Sequence, residues 1–205
     1  MRSRFSEDIE LYPFIYSAPM DRVTGYELTK AMLKHNHCPV ISRFLPKGEY
    51  LKSITELAIN NDNCFVAVGL MDDYNPWLDE ISNLVDITDW TINVTIDIAH
   101  GDSQNCVDAI RKLRANNHIK YIMSGSICTG AAAWRLALEG ATHLRVGIGV
   151  SPICSTRRMT GFGIPNADAI RDIVDTVDRN KVTIIADGGI KNNGDVSKAL
   201  AAGAS

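Results

Sequence analysis

An α/β fold built on a parallel sheet is what this sequence predicts, and three observations carry the prediction. Short apolar, β-rich runs alternate with segments of helical period along the whole chain, the signature of strands joined by crossover helices. Several runs are continuously apolar rather than alternating, as expected for strands covered on both faces. No linker, low-complexity tract or charge block divides the 205 residues, so a single domain is expected. Two architectures satisfy this pattern. One is a (β/α)8 barrel, which typically takes about 250 residues with roughly 200 as a floor. The other is a doubly wound open sheet, although its GxGxxG fingerprint after the first strand is absent.

The strands are predicted at Phe14–Ala18, Pro39–Ser42, Phe65–Gly69, Ile92–Ile98, Lys120–Ser124, Leu144–Ile148 and Val182–Ala186. Between them, Tyr50, Leu51, Ile54, Leu57 and Ala58 recur at helical spacing,. Ser103 stands where it would cap a helix bearing Cys106, Val107, Ile110 and Leu113,. Thr129 would cap a helix that carries Trp134 and Leu138 and stops at Gly140,. Asn166 opens a helix with Ile170, Ile173, Val174 and Val177 on one face, and the last helix runs through Val196, Ala199 and Leu200 to Gly203. Seven β-α units are legible.

Composition narrows the partners. The chain is 45% hydrophobic and 22% charged with a formal net charge of −3, a soluble globular balance that gives nucleic acid little to bind. No apolar run is long enough to span a bilayer, and no basic-then-apolar leader pattern stands at Met1,. The five cysteines, Cys38, Cys64, Cys106, Cys128 and Cys154, form no CxxC pair and are odd in number. They suit a reducing, cytoplasmic setting better than a disulfide framework.

Parallel α/β folds collect function where a strand ends and the next loop begins, and three strand ends stand out. A long glycine-rich loop from Val146 to Pro165 contains Cys154, with Arg157 and Arg158 three and four residues on. Nearby positive charge would raise the thiolate fraction, as a nucleophile needs, while the alternative is a small buried apolar cysteine. The second is Ile184-Ile-Ala-Asp187-Gly188-Gly189-Ile190. There a carboxylate suits ribose hydroxyls and backbone amides suit phosphate, or the segment is only a tight turn. The third, Thr95-Ile-Asp97-Ile-Ala-His100-Gly101, offers Asp97 as an acceptor and His100 as an acid–base or merely structural group,. No HExxH, Cys/His cluster or P-loop is present,.

Together these segments resemble the IMP dehydrogenase/GMP reductase family. The matching pieces are Ser17-Ala-Pro-Met-Asp-Arg-Val-Thr24, Ile96-Asp-Ile-Ala-His-Gly101, Leu144-Arg-Val-Gly-Ile-Gly149, Cys154-Ser-Thr-Arg157, Thr160-Gly-Phe-Gly-Ile-Pro165 and Ala186-Asp-Gly-Gly-Ile190. Val40-Ile-Ser-Arg-Phe-Leu-Pro46 runs straight into a helix where IMP dehydrogenases generally carry a CBS insertion, so the chain looks more like a GMP reductase. The resemblance implies a (β/α)8 TIM barrel and conversion of GMP and NADPH to IMP, ammonia and NADP+. Cys154 matches the thiolate that adds to purine C2 as a thioimidate, and Thr156 matches a proton-transferring hydroxyl. Met20, Asp187, Gly188 and Gly189 match substrate positions; Arg43, Asp97, Ile98 and Ala99 match NADPH positions.

The resemblance also implies a monovalent-cation site for K+ around Gly149, Ser151, Cys154 and Arg157, and a homotetramer with cofactor contacts from a neighbouring subunit. Departures fall at Ser151, which replaces a glycine, at Pro152, which replaces a phosphate-binding serine, and at Ser126, which stands for asparagine. Proline offers neither hydroxyl nor N–H. Family members continue past Gly203-Ala-Ser205 into an eighth strand and a catalytic flap, so about seven of eight units are expected here. Residues 1–205 alone are therefore expected to be poorly soluble and inactive. The alternatives are an IMP dehydrogenase without the insertion, and a non-catalytic purine-nucleotide binder.

Overall fold

Parallel strands joined by helical crossovers are what the chain forms. The structure, a computed structural model, describes residues 15–60, 64–70, 91–152 and 154–205. Phe14, the first residue of the first predicted strand, lies outside them. The chain falls into two units, one made of Ile98–Lys112 and Met123–Ser205, the other of the residues up to Asp97 with Leu113–Ile122.

In the second of these units, β1 (Val40–Ile41), β2 (Phe65–Val68) and β3 (Ile92–Ile96) pair in parallel, with Val40 opposite Phe65 and Val66 opposite Val94. Every residue of these strands is buried; β1 and β2 accordingly read as unbroken apolar runs, while β3 also buries the polar Asn93 and Thr95,. The first predicted strand is reduced to a single parallel bridge between Tyr16 and Cys38. Helix α1 (Tyr26–Lys34) packs on β1 and on α2 (Lys47–Asn60). The helical period at Tyr50, Ile54 and Leu57 marks the buried face of α2, and the Tyr50 hydroxyl donates to the Ala67 carbonyl at 3.3 Å. At its start β4 (Ile119–Ile127) lies next to β3, with the Ile92 N–H donating to the His118 carbonyl at 2.9 Å. A doubly wound sheet would place β1 there instead. The order β1-β2-β3-β4 is that of a singly wound α/β sheet,.

In the other unit, the later residues of β4 pair with β5 (His143–Val146), and β5 pairs with β6 (Thr183–Ala186), Leu144 lying opposite both Ser124 and Ile184. A bulge between Gly125 and Ile127 leaves Ser126 without a register partner in β5. The predicted caps are present. Ser103 Oγ accepts from the Cys106 N–H ahead of α3 (Gln104–Arg114), and Thr129 accepts from the Ala132 N–H at 3.3 Å ahead of α4 (Gly130–Leu138). The short α5 (Thr156–Thr160) precedes α6 (Asn166–Thr176), whose Ile170 and Ile173 are buried. α6 packs against α4 and α7 (Asn193–Ala202), and α7 ends on left-handed Gly203 as expected. Trp134 and Leu138 on α4, and Val196 on α7, are exposed. No described helix is long and apolar enough to cross a membrane.

Candidate active site at the ends of strands β5 and β6

The loop after β5 is held in shape by its own side chains. Arg157 donates through Nε to the Ile148 carbonyl at 2.9 Å and through a terminal nitrogen to the Ile164 carbonyl. One guanidinium thereby ties the beginning of the loop to its end. Within this frame the Cys154 N–H donates to the Ser151 carbonyl at 3.0 Å, and the Cys154 thiol lies 3.2 Å from the Thr156 hydroxyl. Cys154 is part-exposed, whereas Cys38, Cys64, Cys106 and Cys128 are buried. Burial pushes the thiols of Cys38, Cys106 and Cys128 up.

Cys154 moves the other way. Hydrogen bonds from the Thr156 hydroxyl, and then from its backbone N–H, hold the thiol below its ordinary value, since donors favour the charged sulfur. Arg157 contributes the smallest of the lowering effects. The neighbouring arginines therefore contribute less than their spacing suggests. Arg157 is committed to loop carbonyls and lowers the thiol only slightly, Arg158 is exposed, and the largest lowering comes from Thr156.

The loop after β6 interlocks with this one. The Asp187 N–H donates to the Val146 carbonyl at 2.8 Å, and the Asp187 carbonyl presses so closely on Gly147 that no Cβ fits there. Gly188 and Gly189 take left-handed φ values of 81° and 78°, which side chains rarely adopt,. Both lie against Val150, and their N–H groups donate to no acceptor among the described residues. Asn166, at the start of α6, donates to the Gly188 carbonyl at 3.5 Å.

Asp187 carries a partner absent from the sequence-based set. Arg145, inside β5, donates to Asp187 Oδ2 through Nε at 3.1 Å and through Nη2 at 3.0 Å. Ser126 Oγ donates to the same oxygen at 3.3 Å. Arg145 is hidden in a strand 42 residues away from Asp187; only its inward position in an otherwise apolar run, Leu144-Arg145-Val146, signals it.

Gly149 is also packed against Arg157, and the Gly149 and Cys154 carbonyls accept no hydrogen bond from the described residues. The Ser151 carbonyl is engaged by Cys154, and Pro152 is exposed. The Ile98 and Ala99 N–H groups donate to no described acceptor, and the following Gly101 N–H donates to the Ser126 carbonyl at 2.9 Å. His100 is exposed, its ring edge-on to Phe162 with centroids 5.8 Å apart.

The other unit gathers the remaining predicted positions. Arg43 follows β1 and Asp97 follows β3, and the structure pairs them at 3.4 Å with both side chains less than a fifth exposed. The Arg43 guanidinium also stacks over the Phe44 ring at 3.9 Å,. Met20 is exposed at 41% on a turn closed by buried Thr24, whose hydroxyl donates to the Ala18 carbonyl at 2.6 Å.

The IMP dehydrogenase / GMP reductase domain matches residues 1–205. A GMP reductase of Photobacterium profundum is 34% identical over 193 residues, and one of Vibrio atlanticus 31% over 193; each match covers 93% of this chain and 54% of the relative. An inosine-5'-monophosphate dehydrogenase of Yersinia pestis is 44% identical over 110 residues, 54% of this chain and 23% of that protein. The chain thus spans about half the length of the GMP reductases it matches. It belongs to the IMP dehydrogenase/GMP reductase family.

Proposed function

We propose that this chain is the main part of an NADPH-dependent GMP reductase that converts GMP to IMP and ammonia, with the β-α units of a (β/α)8 barrel as its scaffold. The observation that carries the reading is the Cys154–Thr156 pair, a part-exposed thiol lowered by a hydroxyl 3.2 Å away. The Cys154 thiolate attacks purine C2, forming a C–S bond. The C2–N bond then breaks, and the departing amine takes its proton through Thr156. This leaves a thioimidate on the cysteine, so that one hard substitution becomes two easier steps. NADPH supplies the hydride for C2; forming that C–H bond expels the thiolate. The balance is GMP, NADPH and a proton in; IMP, NADP+ and ammonia out.

The residues fit these roles. The Asp187 carboxylate suits ribose hydroxyls, and the undonated N–H groups of Gly188 and Gly189 suit phosphate oxygens,. Met20 offers an apolar, exposed side chain for the base. For NADPH, the Arg43 guanidinium suits a phosphate, Asp97 a hydroxyl or amide donor, and the Ile98 and Ala99 N–H groups an acceptor. The carbonyls of Gly149 and Cys154 would give a monovalent cation such as K+ hard oxygen ligands; Ser151 and Arg157 shape that loop. A reducing cytoplasm would keep Cys154 a free thiol, and a homotetramer is the assembly this reading carries.

The local 44% identity to an IMP dehydrogenase favours a second reading, oxidation of IMP with NAD+. Reduced-nicotinamide absorbance separates the two: it falls with GMP and NADPH for the first, and rises with IMP and NAD+ for the second. Mass spectrometry of the reacting full-length enzyme should find the purine adduct on Cys154, and Cys154→Ala in that enzyme should abolish turnover. Turnover retained by Cys154→Ala would refute the covalent route.

A further inference from the structure

Asp187 is held by one of its two carboxylate oxygens. Oδ2 receives Arg145 Nε at 3.1 Å, Arg145 Nη2 at 3.0 Å and Ser126 Oγ at 3.3 Å. Oδ1 accepts nothing from the described residues. The arrangement is built by the sheet. Arg145 lies within β5 at 13% exposure, and the β4 bulge takes Ser126 out of register with β5, as bulges re-aim side chains near sites.

A carboxylate oxygen has about two lone-pair directions, so three donors saturate Oδ2. A vicinal diol binds a free carboxylate best with one hydroxyl on each oxygen. Here a second hydroxyl must crowd onto Oδ1 or displace a largely buried guanidinium from its counter-charge, which is costly. We infer that Ser126 and Arg145 are positioning residues that present only Oδ1, so that Asp187 grips one ribose hydroxyl strongly and its neighbour weakly. This rests on the nucleotide reading above and deepens it to a choice between two hydroxyls.

The test is calorimetric binding of GMP, 2′-deoxy-GMP and 3′-deoxy-GMP to the protein. One deoxy analogue should lose at least about tenfold in affinity, the usual cost of a missing hydrogen bond to a charged group. The other should stay within about threefold of GMP. Arg145→Lys replaces a forked donor by a single ammonium, and Ser126→Ala removes the third donor; each should narrow the ratio between the two analogues while the thermal midpoint stays close to the parent. Equal losses for both analogues, or a ratio unchanged in both variants, would overturn the inference while leaving the function standing. Failure to bind GMP at all would overturn the function and the inference together.

Discussion

At Cys154 the chemistry is set by a hydroxyl two residues away. The Thr156 donors favour the thiolate and so hold the thiol below its ordinary value,. Alkylation by iodoacetamide should therefore rise with pH through a midpoint below that value. Thr156→Ala removes the hydroxyl donor and should move the midpoint up, slowing alkylation at neutral pH. Arg157→Ala should barely move the midpoint, because its charge contributes least, but should loosen the loop it ties between Ile148 and Ile164. The Cys-x-Thr spacing is legible in the sequence because both groups share one loop. The arginines mislead because adjacency along the chain does not say which carbonyls a long side chain will reach. The partner of Arg145 is hidden for a related reason: Asp187 is brought near only by the pairing of β5 with β6.

Among the elements, the contact of α4 with α6 is the most exacting. Thr129 caps α4 from its own chain, while Asp172 of α6 accepts from the Gly130 N–H at 2.6 Å, so a carboxylate on one helix serves the N-terminus of another,. A Cβ on Gly130 would collide with the Thr176 side chain and approach the Asp172 carbonyl to 2.9 Å. In chemical denaturation, Thr129→Ala should cost about 1 kcal/mol for the lost cap. Gly130→Ala should cost more, about 1–3 kcal/mol, because it overpacks a helix contact. Caps are readable in advance since they depend on neighbours three residues away. The burial of α4 is not: its buried face is made of Ala132, Ala133 and Leu136, and the larger Trp134 and Leu138 point outward. Periodicity finds faces, but packing space decides which face goes inside.

For the molecule as a whole, alternation of strand and helix predicts a parallel α/β fold, and six of the seven expected strands form within a few residues of their bounds, the first being reduced to the Tyr16–Cys38 bridge. Their order is beyond the sequence, because apolar runs do not name their neighbours. Burial then forecasts unequal protection from solvent. Amides of β2 and β3 in one unit, and of β5 and β6 in the other, should be the slowest to exchange hydrogen, since these strands are buried nearly throughout. Those of α7, where only Ala202 is buried, should exchange much sooner. Peptide-resolved exchange with mass spectrometry would test the ranking, and α7 protected as well as β5 would contradict it.

The interlocked loops after β5 and β6 bear on how this site can change over generations. Gly147 has no room for a side chain because the Asp187 carbonyl fills the space, and Val150 fills the space beside Gly188. A mutation at Gly188 is therefore judged by the residue then present at position 150 in the other loop. Drift at Gly188 should follow a smaller residue at Val150, whereas Gly147 should stay fixed, because every residue at 187 carries the same backbone carbonyl.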